Sequence, residues 1–205
     1  MNKLIIILLM AVLSLALFAE SAKDEAIQSL DTAKSLINKD DLVKARDEIN
    51  FALAKIGEIQ AEQLLTFIPD APSGYTLGDK ESQAIGDAGS IIGSANSIIA
   101  TADYANDEST LNLNITVGGV LGQAGGLMGL ASMFGGISAT SGGKTVRISG
   151  YSGNQEYDKE EQSGTLTINV GDKITVVIEG DGIANADILK TLAEKIDLAK
   201  LEKSF

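Results

Sequence analysis

Hydrophobic positions in residues 24–68 recur with a helical period, in two blocks. In the first block Ile27, Leu30, Ala33 and Ile37 lie three or four residues apart, so they share one helix face. A longer stripe with the same spacing follows, made of Leu42, Ala45, Ile49, Ala52, Leu53, Ile56, Ile59, Leu64 and Phe67. The pattern predicts two amphipathic helices.

A short polar stretch, Asn38-Lys39-Asp40-Asp41, separates the two blocks. Aspartate side chains accept hydrogen bonds from the free N–H groups at a helix start, so Asp40 or Asp41 is expected to cap the second helix. Two helices joined by a short turn form an antiparallel hairpin, predicted here over residues 23–68. Such a hairpin either packs its stripes together or leaves one stripe exposed to recruit a partner or to form a dimer.

Beyond the hairpin the helical periodicity ends and the residue composition changes. Pro69 and Pro72, the only prolines, place a linker at residues 69–73. Residues 82–97 are rich in Gly, Ser and Ala and are expected to be loop or frayed helix. Alternating apolar and polar residues then indicate strands with one covered face. These strands are predicted at Ser97–Ala105, Thr110–Val117, Lys144–Gly150, Thr165–Val170 and Lys173–Glu179. A helix over Asp187–Lys203 is predicted to close the chain.

Residues 74–205 therefore read as an α+β domain. Strands linked as hairpins, with helices separated from them, predict an antiparallel sheet of about six strands covered by helices, in the order β-β-β-α-β-β-β-α. This order resembles the PsbP-like sandwich, and Pro72-Ser73-Gly74-Tyr75 resembles the P-x-G-aromatic entry to the first strand of several exported bacterial proteins. The resemblance implies a fold and a role as an accessory or assembly protein, without a catalytic signature.

Residues 1–22 have the three parts of a secretory signal peptide. Lys3 gives a positive start, residues 4–18 are apolar and uncharged, and small residues follow at Ala19, Ser21 and Ala22. We expect cleavage after Ala19 or Ser21 and export to the periplasm or cell envelope. The alternative is an uncleaved membrane anchor, although the apolar run is shorter than the roughly 20 residues that span a bilayer.

The segment from residue 117 to 139 is uncharged and rich in glycine. Gly118, Gly122 and Gly126 recur every fourth residue, which lets a helix approach another backbone closely. The segment is interpreted as a packing helix or a glycine-rich cover, and alternatively as a membrane-inserting helix or a lid over an apolar ligand. Its candidate contacts with a partner or ligand are Gly118, Gly122, Gly126, Leu121, Leu127, Met133 and Phe134.

Composition narrows the chemistry. The formal net charge of −12 disfavours nucleic acid, whose affinity depends on Lys and Arg, and disfavours electrostatic docking on anionic lipid. The chain has no Cys and no His, so thiolate nucleophiles, disulfides, His-dependent triads and imidazole metal sites are excluded. Carboxylate pairs, Ser-Lys dyads and oxygen-liganded metals remain as routes to catalysis, but the sequence carries no signature of them, and we predict no catalytic residues, no metal site and no cofactor.

Two acidic clusters are candidates for weak calcium sites. They are Asp103/Asp107/Glu108 and Glu156/Asp158/Glu160/Glu161, and neither has EF-hand spacing. Solvated loops are the favoured interpretation of both. The sequence thus predicts a non-catalytic exported protein that acts through protein contacts. The alternatives are a carrier that holds an apolar ligand between the sheet and residues 118–134, and a membrane-active protein that uses the glycine stripe.

Overall fold

The computed structural model describes residues 21–85, 97–118 and 143–205. The described helices are α1 (residues 21–37), α2 (Leu42–Leu65), α3 (Asp187–Ala193) and α4 (Leu198–Ser204). The described strands are β1 (Thr76–Ile85), β2 (Ser97–Ala105), β3 (Thr110–Val117), β4 (Lys144–Ile148), β5 (Tyr151–Asp158), β6 (Ser163–Val170) and β7 (Ile174–Asp181). The predicted α+β class, a helical pair followed by an antiparallel sheet with helices, is confirmed.

All seven described strands form a single antiparallel sheet in the order β1-β2-β3-β7-β6-β5-β4. It consists of two meanders, β1-β2-β3 and β4-β5-β6-β7, that join where β3 pairs with β7. The helix predicted between the third and fourth predicted strands falls on residues outside the described part of the chain.

One face of the sheet carries the core. Ile115 on β3 lies between Ala100 on β2 and Val176 on β7, and Leu113 and Ile178 repeat this apolar row two residues along. Buried residues from α2, α3 and α4, such as Leu64, Leu192 and Leu201, belong to the same cluster. Apolar residues recur at every second position of β2 and β3, which places these side chains on one face.

The hairpin of α1 and α2 has the predicted turn. Asp41 caps α2, because its carboxylate accepts a hydrogen bond from the backbone N–H of Lys44. Asp40 takes a positive φ of 58° in the turn. Only the C-terminal part of α2, with Ala61 and Leu64, joins the core on the sheet. At the other end of this contact, buried Tyr104 donates a hydrogen bond to the Pro69 carbonyl, which ties the segment after α2 to β2.

The structure describes seven strands where about six were predicted. Residues 151–158, expected to be a polar loop, form β5. Two of its inward side chains bond to backbone: Gln155 donates to the Ala186 carbonyl, and the hydroxyl of Tyr157, which packs against the core, lies 3.0 Å from the carbonyls of Ile183 and Ala184. A strand held in this way lacks the apolar alternation that marks the others.

Several boundaries also differ from the predictions. Residues 82–85, expected to be loop or frayed helix, are the end of β1. The single closing helix is two helices, because Asp197 caps a new helix by accepting from the Lys200 N–H. The β6–β7 turn holds three residues, 171–173, with Gly171 at a φ of 59°.

Candidate functional site

The predicted contact residues fall mostly outside the described chain. Gly118 is described: it has a φ of 72° and its N–H donates to the Lys173 carbonyl at 2.8 Å, beside the β6–β7 turn. This geometry ends β3 and explains the glycine structurally, since positive φ is unfavourable for residues with a Cβ. The other six lie outside the described residues: Leu121, Gly122, Gly126, Leu127, Met133 and Phe134.

The described feature most unlike an ordinary surface is the helical hairpin. Its two helices meet along a seam of small, buried side chains: Ala22, Ala26, Ser29, Ala33, Ala45 and Ala52. Small residues let helix axes approach to about 8 Å, the short end of the usual range. The seam therefore uses the alanines of the two predicted stripes and leaves out most of their large residues.

Polar contacts close one side of this seam. Glu25 on α1 forms an ion pair with Lys55 on α2 at 3.0 Å, and the Ser29 hydroxyl donates to a Glu48 oxygen at 2.7 Å. The hydrogen bonds to Glu25 and then Glu58 raise the pKa of Lys55. These contacts fix the register of α1 against α2.

The opposite side of the seam is apolar and exposed. Residues spaced by three, four or seven share a helix face, and on each helix the large residues with this spacing lie away from Glu25 and Lys55. Their exposed fractions run from 37% to 64%, and they are Ile27, Leu30 and Ile37 on α1 and Leu42, Ile49, Leu53 and Ile56 on α2. We call this surface the apolar side of the hairpin. Together these residues expose several hundred Å², a patch size that marks interaction surfaces.

Cations flank this apolar side. By the same helical spacing, Lys23 and Lys34 lie among its α1 residues and Arg46 lies among its α2 residues. All three are exposed, and none forms an ion pair with any described residue. Among the carboxylates of the two helices, Asp24 and Asp31 share this spacing with Ile27, at the outer edge of the surface. None shares it with Leu30, Ile37 or the α2 residues of the apolar side, so the three cations lie nearer its centre than the two carboxylates do.

The sheet face opposite the core is polar, yet its centre is buried. Thr116 and Asn114 on β3 are 0% and 4% exposed, and Thr175 on the neighbouring β7 is 2% exposed. The Thr116 hydroxyl donates to the Asn114 side-chain oxygen at 2.9 Å, whereas the Asn114 Nδ2 has no hydrogen-bond partner within the part of the chain the structure describes. A buried donor without a partner costs stability, so the Asn114 Nδ2 offsets part of what the hydrogen bond from Thr116 contributes.

A row of polar residues crosses the same face further along the strands. Asp103, Asn112, Glu179, Thr165 and Glu156 follow one another across five strands. Asn112 donates to Asp103 at 2.8 Å, and burial raises the pKa of Glu179. The neighbours of Glu179 on the adjacent strands are the amide of Asn112 and the hydroxyl of Thr165. Neither of these two side chains carries a positive charge that would compensate the Glu179 carboxylate.

The residues of the two acidic clusters lie on strands and in turns. Asp103 lies on β2, while Asp107 and Glu108 lie in the β2–β3 turn. In the second cluster Asp158 ends β5 and accepts hydrogen bonds from the backbone N–H groups of Glu160 and Glu161. Within the described ranges, no group of three or more acidic side chains is arranged to hold a metal ion.

None of the described helices is both long enough and apolar enough to cross a membrane. Comparison with protein-family models, with curated proteins and with solved structures finds no match to this chain. The sequence pattern indicated both apolar stripes, but not that their alanines would be buried and their large residues exposed. The signal for that was the placement of Lys23, Lys34 and Arg46 among the apolar positions.

Proposed function

We propose that this protein is a non-catalytic exported protein of the periplasm or cell envelope that works through protein–protein contacts, as an accessory or assembly factor. The observation that carries the proposal is the apolar side of the hairpin. A soluble monomer seldom exposes a contiguous apolar patch of this size, and such patches occur where a partner binds. Burying one Leu or Ile fully contributes roughly 1.5–3 kcal/mol, so partial burial of several supports a stable contact.

The hairpin suits this role mechanically. Its register is fixed by the Glu25–Lys55 ion pair and the Ser29–Glu48 hydrogen bond. The C-terminal part of α2 is anchored on the sheet through Ala61 and Leu64. A pre-ordered surface binds with a smaller entropic cost than one that must fold on binding. The alternatives of an apolar-ligand carrier and a membrane-active protein depend on residues 118–134, of which Gly118 alone is described.

Site-specific photocrosslinking in intact cells tests the proposal. A photoreactive amino acid at Leu30 or Leu53 places the probe on the apolar side, and one at Gln28 or Asp47 places it elsewhere on the same helices. We expect one protein adduct, of the same mass and identity, from both apolar-side positions and from neither control position. Adducts with lipid alone, or equal adducts from all four positions, would show that the hairpin is not a protein-binding surface.

A further inference from the structure

The apolar side of the hairpin has the form of a groove between two ridges. Leu30 and Ile37 form one ridge on α1, and Leu42, Ile49 and Ile56 form the other on α2, each set spaced by seven residues. The alanine seam between them holds the helices close together. Side chains spaced by seven on paired helices are the arrangement that receives the apolar stripe of another helix.

The dimensions of the groove also fit a helix. From Leu42 to Ile56 the ridge on α2 extends about 21 Å along the helix, at roughly 1.5 Å per residue. A partner helix of about four turns covers that length. An extended peptide would leave its backbone N–H and C=O groups unpaired against helices, which offer no free ladder of hydrogen bonds.

Charge indicates the chemistry of the occupant. Lys23, Lys34 and Arg46 border the groove without an ion pair to any described residue. Cations at the rim of an apolar surface favour a partner with carboxylates at the matching rim, and disfavour a partner with cations there. A second copy of this chain would bring the same three cations to the interface, with its Asp24 and Asp31 only at the outer edge beside Ile27, so self-association is less favoured.

We infer that the hairpin receives an amphipathic helix of a partner protein whose apolar stripe is flanked by carboxylates, and that the three helices form a bundle. This inference rests on the proposed function and specifies the class of its partner. The apolar stripe of the partner lies between α1 and α2. Its carboxylates face Lys23, Lys34 and Arg46.

Two designed peptides test the inference. Both are about 18 residues long and carry the same Leu stripe at heptad spacing, but one has Glu and the other Lys at the flanking positions. Binding to the full chain is measured by fluorescence anisotropy, with the labelled peptides as probes. We expect the Glu-flanked peptide to bind at least about tenfold more tightly, and this preference to shrink as salt rises from about 50 to about 300 mM.

Matched variants locate the binding. Leu53 and Phe51 are equally exposed, at 46% and 47%, but Phe51 lies on the side of Lys55, whose ammonium is 5.5 Å from the ring centre. We expect Leu53→Ser to weaken binding about tenfold or more and Phe51→Ser to leave it unchanged. The triple variant K23E/K34E/R46E should reverse the preference between the two peptides. Circular dichroism confirms that each variant retains its helices.

The outcomes separate this inference from the proposed function. Equal binding of both peptides, or binding of neither, overturns the inference, while photocrosslinking from Leu30 and Leu53 to one protein would still support the proposed function. Binding to phosphatidylglycerol vesicles that Leu53→Ser abolishes, without peptide binding, would assign the surface to a membrane. A concentration-dependent dimer that Leu53→Ser abolishes would assign it to a second copy.

Discussion

Gly57 of α2 lies directly against Ala84 of β1: a Cβ at position 57 would come within 2.9 Å of the Ala84 Cβ. This contact lies next to the end of β1 at Ile85. It marks where α2 changes partners, because Ala61 and Leu64 after it pack on the sheet, whereas Ala45 and Ala52 before it belong to the seam with α1. The absence of a side chain at one residue thus sets how closely the hairpin lies on the sheet.

Replacing Gly57 by Ala should therefore destabilise the protein, although Ala favours a helix by about 1 kcal/mol relative to Gly. Overpacking costs about 1–3 kcal/mol, so we expect a net loss of about 1 kcal/mol in the free energy of unfolding and a larger loss for Gly57→Leu. Urea denaturation, monitored by circular dichroism, measures the free energy of unfolding of each variant. The double variant G57A/A84G restores the space and should recover most of the loss; a stabilised G57A would contradict the close contact.

The alanine seam gives a second test, because α2 carries a buried and an exposed alanine two residues apart. Ala52 is fully buried, whereas Ala54 is exposed. Ala52→Leu forces the helices apart and should lower the free energy of unfolding by about 1–3 kcal/mol. Ala54→Leu should change it by less than about 0.5 kcal/mol. Thermal melts compare the melting temperatures of the two variants, and we expect that of Ala52→Leu to be lower. Equal melting temperatures would mean that the helices do not meet at Ala52.

The parts of the fold that the sequence predicted are those where apolar periodicity and packing agree. β2 and β3 were predicted with the bounds observed, Ser97–Ala105 and Thr110–Val117, because apolar residues occupy every second position of each strand and face the core. β5 was missed because Gly153, Gln155 and Tyr157 occupy its inward positions, and strand pairing there is supported by hydrogen bonds to the distant segment 183–186. Hydrogen bonds to residues so far along the chain cannot be predicted from the apolar and polar pattern of residues 151–158 alone.

For the candidate site, the sequence predicted the two apolar stripes but not which of their residues would be buried. Periodicity alone groups Ala33 with Leu30 and Ile37 on one face of α1, since all three have helical spacing. It does not say which of them faces α2. The structure resolves this through size: close packing selects the alanines, and the larger neighbours are left at the surface.

The buried pair on the polar face of the sheet predicts non-additive mutations. Thr116→Val removes the donor to the Asn114 oxygen, and Asn114→Leu removes the acceptor together with its unpaired Nδ2. Losing one partner of a buried hydrogen bond costs about 1–3 kcal/mol, whereas replacing both by apolar groups is close to neutral. We expect the double variant N114L/T116V to be more stable than the sum of the single effects predicts. A double-mutant cycle in urea measures the coupling, and strict additivity would refute it.

Glu179 predicts a pH dependence with a definite sign. Burial raises its pKa above the ordinary value of 4.5, so the folded state binds this proton more tightly than the unfolded state does. The Glu179 contribution to stability is therefore lost as pH rises from about 4.5 through the raised pKa, and it stays lost above. We expect Glu179→Gln to melt at a higher temperature than the parent at pH 7, and the difference to disappear near pH 3. Glu156→Gln, in the same polar row on β5, where the carboxylate accepts a hydrogen bond from the Asn154 side chain, is the matched control. A higher melting temperature of the parent at pH 7 would contradict the burial of an uncompensated carboxylate.

Export, finally, can be tested apart from every contact discussed above. If residues 1–22 act as a signal peptide, the intact chain expressed in a bacterium should yield a product about 20 residues shorter, recovered in the soluble envelope fraction. Intact-mass spectrometry of each fraction measures this, and Leu9→Arg, which interrupts the apolar run, should leave the full-length chain in the cytoplasm. A full-length product in the membrane would make residues 4–18 an anchor. A shortened product in the membrane would instead require another attachment, and introducing Leu53→Ser would show whether the apolar side of the hairpin provides it.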